Sequence, residues 1–201
     1  NHESGIINHV EKMNKKRVIV VHGWEATPSD HWFSWLAREL EKDGFERTVP
    51  EMPNTDHPIL REWLSKLRTV IGAPDENTYC IGHSVGAIAV MRYLEALEGD
   101  RAIGGAVFVA GFPESIGYEE LNSFFESPLD YVAVRKHAGR FIAIQSDTDP
   151  YVPLKNGELL RDNLGAELRV IKNGGHFNAE DGYTEFPILL DALHRLMRVN
   201  G

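Results

Sequence analysis

The 201-residue sequence has only one cysteine, Cys80, and fewer basic than acidic side chains. A single cysteine cannot form an internal disulfide, which excludes a disulfide-stabilised framework and fits a reducing compartment. We therefore expect a cytoplasmic location. The 21 Lys and Arg residues against 30 Asp and Glu residues give a net charge of -9. This balance argues against nucleic acid or an anionic membrane as a partner.

Long hydrophobic runs are also lacking. No apolar stretch approaches the roughly 20 residues that a membrane-spanning helix needs. The stretch of residues 1–21 has charged and polar side chains at the place where a signal peptide has its apolar region. We expect residues 1–12 to be an extension, either a tag or disordered, and residues 13–201 to form a single domain. A chain of this length can bury a full hydrophobic core.

Strand-like apolar segments alternate with amphipathic helical segments along the chain. Arg17–Val21 is a continuous β-branched run, which is typical of a strand buried on both faces of a parallel sheet. Residues 29–44 follow with helical periodicity, and Ser29 or Asp30 could cap that helix. Further strands are predicted at 47–52, 78–84, 103–112, 140–147 and 167–172, and further helices at 58–72, 85–99, 154–165 and 183–197. The alternation predicts an α/β fold with about six mainly parallel strands and helices on both faces.

Ser84 lies at the corner between a predicted strand and a predicted helix, in the pattern Gly82-His83-Ser84-Val85-Gly86. G-x-S-x-G in this context is typical of a nucleophile elbow, a strained turn that exposes the serine hydroxyl. The same serine could instead be a helix N-cap beside two packing glycines. A hydroxyl becomes a good nucleophile only with a base and an orienting acid.

Both partners are present downstream, in the chain order that this motif predicts. His176 follows the last predicted strand after a Gly-Gly pair, and Asp147 and Asp149 follow the strand before it. We favour Asp149 as the acid because it precedes Pro150, which biases it toward an extended conformation. Acyl transfer also needs donors for the oxyanion, and we expect them to be the backbone N–H groups of Trp24 and Val85.

Other histidines and acidic residues are better explained as structural. His22 is expected to bridge loop backbone near Trp24, and His83 to pack beneath the elbow. His31 and His57 could edge the pocket or lie in solvent. No cluster has zinc-like ligand spacing, so no metal is expected.

The motifs together resemble a known family. "VIVVHGW", "HWFSWLARELEKDG", "MPNTDHPILREWLSKL", "IGHSVGAIAVMRYLE", "SDTDPYVP" and "NGGHF" occur in the order found in the small serine hydrolases related to retinoblastoma-binding protein 9 and to the bacterial YdeN protein. The resemblance covers roughly residues 16–198. It implies a compact, lidless α/β-hydrolase fold and a triad matching Ser84, Asp149 and His176. The L-x-C-x-E peptide ascribed to retinoblastoma binding is absent, since Thr78 lies two residues before Cys80.

The leading functional hypothesis is a cofactor-free serine hydrolase that cleaves small esters, thioesters or amides through an acyl-enzyme on Ser84. The partner is then a small-molecule acyl substrate. A catalytically silent binding or scaffold protein and an acyl transferase remain alternatives. The pocket walls are expected to include Trp24, Trp32 and the segment 113–138, with Phe124 and Phe125 in that segment and Phe177 in the last loop. The sequence does not indicate the oligomeric state.

Overall fold

Six parallel strands form one open sheet in the computed structural model, which describes residues 15–198. The order across the sheet is β2-β1-β3-β4-β5-β6, so the prediction of about six mainly parallel strands is confirmed. The predicted extension at residues 1–12 lies outside the described residues. The strands are β1 (Arg17–Val21), β2 (Glu46–Thr48), β3 (Thr78–His83), β4 (Gly105–Val109), β5 (Phe141–Ser146) and β6 (Glu167–Ile171).

Helices cover both faces of the sheet, because the central strands are apolar on both faces. Side chains alternate between the faces along a strand: Val18 and Val20 of β1 belong to one hydrophobic core, and Ile19 and Val21 to the other. The helices are α1 (Phe33–Lys42), α2 (Leu60–Ile71), α3 (Val85–Glu95), α4 (Tyr131–Lys136), α5 (Lys155–Leu164) and α6 (Pro187–Arg198). Helices α1 and α6 pack on the face of Val18, and α2, α3, α4 and α5 pack on the other.

Two boundary predictions are corrected by the structure. Helix α1 begins at Phe33 without a side-chain cap, so neither Ser29 nor Asp30 caps it. The Asp30 carboxylate instead accepts the Thr27 N–H at 2.7 Å, which stabilises the preceding turn. Strand β2 ends at Thr48, before Pro50, because proline has no N–H to pair with a neighbouring strand. Its predicted position at the edge is confirmed. None of the helices within residues 15–198 is long and apolar enough to cross a membrane.

The segment between β4 and α4 is irregular, but it is firmly attached to helix α3. Helix α4 itself lies within residues 113–138, where the sequence predicted no helix. The irregular segment contains a 3-10 helix at Glu119–Phe124. The buried Arg92 guanidinium on α3 donates to the carbonyl oxygens of Phe124, at 2.9 Å, and of Ser127. Glu95 pairs with Arg92 at 2.7 Å and also accepts the Asp130 N–H at 2.7 Å. A buried charge is tolerated when it is paired and hydrogen-bonded in this way.

Helix α3 begins in direct contact with the ends of β1 and β3. A Cβ atom added at Gly86 would lie 2.1 Å from the Val21 carbonyl oxygen and 2.7 Å from that of His22. One added at Gly82 would lie 2.5 Å from Ala87 Cα. Only glycine permits such an approach, which explains both glycines of the G-x-S-x-G motif.

Replacing Gly86 with alanine should therefore destabilise the protein. Alanine has the higher helix propensity by about 1 kcal/mol. We nevertheless expect the free energy of unfolding to fall by about 3 kcal/mol, because the added methyl group overpacks this contact. Urea unfolding measures the change. Gly99→Ala is the control, since Gly99 has a φ of 70° and no atom near its would-be Cβ, and it should cost only about 1 kcal/mol. Equal losses at the two positions would contradict the steric explanation.

Candidate active site

Ser84 occupies the tight turn between β3 and α3 with a strained backbone. Its φ is 55° and its ψ is -120°. A non-glycine residue with positive φ costs free energy that the surrounding structure must offset. The turn is fixed by two hydrogen bonds: the Ser84 N–H donates to Val109 O, and Ser84 O accepts the Ala87 N–H, both at 2.9 Å. The strained strand-to-helix turn that the sequence predicts at this position is present.

The loop after β1 passes directly beside Ser84. A Cβ atom added at Gly23 would lie 3.1 Å from Ser84 Cβ. The next N–H in this loop belongs to Trp24, and Val85 supplies the first N–H of α3. Within residues 15–198, neither of these N–H groups donates to a protein acceptor. Both predicted oxyanion donors belong to residues that border the same cavity as Ser84.

A buried histidine fixes the orientation of that loop. The Met52 N–H donates to His22 Nε2 at 3.2 Å, so the ring carries its proton on Nδ1 and donates it to Gly23 O at 3.0 Å. Burial lowers the pKa of His22, which favours the neutral ring that this pattern requires. The Gly23 carbonyl shares a peptide plane with the Trp24 N–H, so His22 also orients this donor. The structural role expected for His22 is supported by these contacts.

His176 and Asp149 form a hydrogen-bonded pair in the loops that follow β6 and β5. His176 Nδ1 lies 2.8 Å from Asp149 Oδ2, and the Asp149 side chain is fully buried. Asp149 Oδ1 accepts the N–H groups of Tyr151 at 2.9 Å and Val152 at 3.0 Å. These bonds hold the carboxylate in one orientation toward the imidazole.

Asp147, the other candidate acid, does not contact His176. It is exposed, and its Oδ1 accepts the Asn173 N–H at 2.7 Å, which joins the two loops. The structure thus pairs the histidine with Asp149 and gives Asp147 a different role.

His83 connects the serine turn with the histidine loop. Its Nε2 donates to the carbonyl oxygen of His176 at 2.9 Å, and the two rings lie 5.0 Å apart. Burial lowers the pKa of His83 well below its ordinary value, so the ring is neutral. The residue next to Ser84 therefore fixes the backbone of His176. From the sequence, His83 was expected only to pack beneath the turn. The hydrogen bond to His176 is an additional contact that sequence patterns do not reveal.

One cavity of about 360 Å³ joins these groups. Ser84, His176, Trp24 and Val85 all border it. Its apolar wall is made by Phe112 of the loop after β4 and by the following irregular segment, which contributes Ile116, Tyr118 and Leu121. The remaining border residues include His31, Tyr151, Asn178 and three carboxylates, Glu25, Asp30 and Glu180.

Four predicted pocket residues do not border this cavity, so those predictions are wrong. Trp32 is fully buried in the core, where its Nε1 donates to Phe177 O at 3.1 Å. Phe177 packs against Phe186 at 5.2 Å, and Phe124 packs edge-on against Trp63 at 5.7 Å. Phe125 is half-buried beside Phe112. The 3-10 helix directs Leu121, rather than the larger aromatics, to the cavity.

The other candidate sites are not supported. His57 is exposed and lies 3.3 Å from Asp56, away from the cavity. Within residues 15–198 no group of three or more metal-binding side chains is found. A second cavity of about 350 Å³ lies at the opposite edge of the sheet, beside the start of β5, and contains no histidine or serine.

The chain is similar to known proteins along most of its length. A model of the serine hydrolase family matches residues 18–195. The YdeN protein of Bacillus subtilis (strain 168) is 34% identical over 179 residues, covering 89% of this chain and 94% of that protein. The serine hydrolase RBBP9 of Rattus norvegicus is 30% identical over 188 residues, covering 92% of each chain.

A solved structure matches the fold of the chain as well. The crystal structure of the ydeN gene product from B. subtilis superimposes with a TM-score of 0.85 at 33% identity, over 92% of this chain and all (100%) of that one. The predicted resemblance and the predicted fold are both confirmed. The chain belongs to the serine hydrolase family and has the α/β-hydrolase fold.

Proposed function

We propose that this chain hydrolyses small carboxylic esters, thioesters or amides through an acyl-enzyme formed on Ser84. The observation that carries the proposal is the 2.8 Å bond between His176 and a fully buried Asp149, in a cavity that Ser84 also borders. A nucleophile, a base and an oriented acid are the minimal set for serine-based acyl transfer.

The hydrogen-bond pattern supports a role for each group. In the neutral imidazole of His176, Nδ1–H donates to Asp149, so Nε2 carries no proton and can accept one from Ser84 Oγ. Ser84 Oγ then forms a bond to the substrate carbonyl carbon, and the carbonyl π electrons move onto oxygen. When the tetrahedral intermediate collapses, the bond to the leaving group breaks and His176 returns its proton to that group. Water repeats the sequence, which releases the acid and restores Ser84.

The negative oxygen of the intermediate would be stabilised by the Trp24 and Val85 N–H groups. Val85 is the first residue of α3, where unpaired N–H groups and the helix dipole favour negative charge. His22 fixes the peptide plane of the Trp24 donor. Donors that are oriented before the reaction are effective because they need no reorganisation when the charge develops.

Ser84 should be the residue labelled by a fluorophosphonate probe. Mass spectrometry of the labelled peptide checks this, and Ser84→Ala, a small change at a buried site, should abolish both labelling and ester hydrolysis. An adduct on another residue of the folded protein, or none, would defeat the assignment.

Asp149→Asn should lower kcat by on the order of 10⁴-fold, because the amide cannot hold the imidazole in the reactive tautomer. Asp147→Asn is the matched control in the same loop. It keeps an oxygen that can accept the Asn173 N–H and should reduce kcat by less than about tenfold, since it alters one exposed hydrogen bond. Steady-state kinetics with one p-nitrophenyl ester compares the two. A larger loss in the Asp147 variant would reverse the assignment.

Short and medium acyl chains should be preferred over long ones. The cavity of about 360 Å³ is near the lower end of the range for ligand sites, roughly 300–1,000 Å³. Its apolar wall belongs to a segment that Arg92 attaches to helix α3, which supports a site of modest size. A p-nitrophenyl ester series from two to sixteen carbons, compared by kcat/KM, should therefore peak at or below about eight carbons. Highest efficiency at sixteen carbons would contradict this interpretation.

A further inference from the structure

His31 borders the same cavity as Ser84 and His176, although the chemistry proposed above does not use it. It lies two residues before α1, and its φ is 50°. Residues other than glycine adopt this left-handed conformation infrequently. When they do, the strain is often found at functional sites. The strained backbone of His31 thus coincides with the position of its ring at the cavity border.

The protonation of the His31 ring follows from its hydrogen bond. Its Nδ1 accepts the N–H of Ala179 at 3.1 Å. An accepting nitrogen carries no proton, so the ring is neutral and carries its single proton on Nε2. Burial lowers the pKa of His31 and outweighs the opposing effect of the Asp30 carboxylate, which also favours the neutral ring. His31 thus has one N–H donor in a known tautomer.

That donor is held in place but has no partner. The ring packs edge-on against Phe33 at 5.5 Å and against His83 at 5.8 Å. Within residues 15–198, Nε2 makes no hydrogen bond. Fixed donors at a cavity wall are normally satisfied by water or by a ligand.

The tether to Ala179 indicates which part of a substrate His31 would meet. Ala179 follows His176 in the loop after β6. His176 must lie next to the leaving group in order to protonate it. The apolar residues Phe112 and Ile116 come from a different part of the chain, the segment after β4, and suit the acyl group.

We propose, on the basis of the function proposed above, that His31 binds the leaving group by donating a hydrogen bond from Nε2 to a neutral oxygen in it. The enzyme would then favour esters and amides whose alcohol or amine portion carries an ether, hydroxyl or carbonyl oxygen near the scissile bond. The acceptor is neutral because Glu25, Asp30 and Glu180 border the same cavity, and their negative charge repels a carboxylate.

A matched pair of esters tests the proposal. Butyl butanoate and 2-methoxyethyl butanoate have the same acyl group and the same chain length, and differ by an ether oxygen in place of a methylene group. The pair 3-methoxypropyl and pentyl butanoate moves the oxygen one position. For each pair the measured quantity is the ratio of kcat/KM for the ether ester to that for the alkyl ester, so a general loss of activity cancels.

Two variants separate ligand binding from the structural tether. His31→Asn keeps an acceptor oxygen for the Ala179 N–H and tolerates positive φ, but it lacks the Nε2 donor. His31→Phe lacks both. We expect the ratio for at least one ester pair to fall about fivefold in both variants, as for the loss of one hydrogen bond.

Other outcomes would overturn the proposal. A ratio that falls in His31→Phe and not in His31→Asn would show that only the tether matters. Ratios unchanged in both variants would show that Nε2 binds no leaving-group oxygen. If either occurs while a fluorophosphonate labels Ser84 and the wild type hydrolyses butyl butanoate, this inference fails and the proposed function stands. Absence of both labelling and hydrolysis in the wild type would remove the proposed function and this inference together.

Discussion

The contact between the first turn of helix α3 and the carbonyl oxygens at the end of β1 is the constraint on which the site depends. The 2.1 Å separation between a would-be Cβ at Gly86 and Val21 O shows that no side chain fits there. With the helix this close to the sheet, the chain must turn sharply between β3 and α3, and Ser84 adopts a strained φ of 55°. The cost of such a residue, about 1–3 kcal/mol, is offset by the burial of α3, in which all residues from Val85 to Leu94 are buried.

Two neutral histidines then fix the neighbouring loops around that turn. His22 holds the loop after β1, and His83 holds the loop after β6 through the carbonyl of His176. A neutral imidazole suits this task because it combines an apolar ring with a directed N–H donor. Its burial lowers its pKa and keeps it neutral. These hydrogen bonds hold the loops at the carboxyl edge of the sheet in place around Ser84, although the loops come from distant parts of the chain.

The size of the cavity has a separate origin, in the segment between β4 and α4. Arg92 lies on the helix that begins next to Ser84, and it binds two carbonyl oxygens of that segment. One helix therefore both forms the serine turn and holds the apolar wall opposite it. These bonds hold the segment against helix α3, and together with Glu95 they satisfy the charge of Arg92 in the core of the helix layer.

The sequence by itself determined the order of the six strands and of five of the six helices in the described residues, the serine turn and the residues that pair across the loops. These could be predicted because each rests on a local signal: apolar runs for β1 and β3, glycine spacing around Ser84, and polar residues at the ends of successive strands. Asp149 could be separated from Asp147 by the proline that follows it. Tertiary structure alone decided the walls of the cavity. The segment 113–138 has no periodicity that indicates which side chains face inward, so Leu121 could not be distinguished from Phe124. In the same way, His31 borders the cavity whereas its neighbour Trp32 is buried in the core. The positive φ of His31, which affects the direction of the chain there, leaves no trace in composition or spacing.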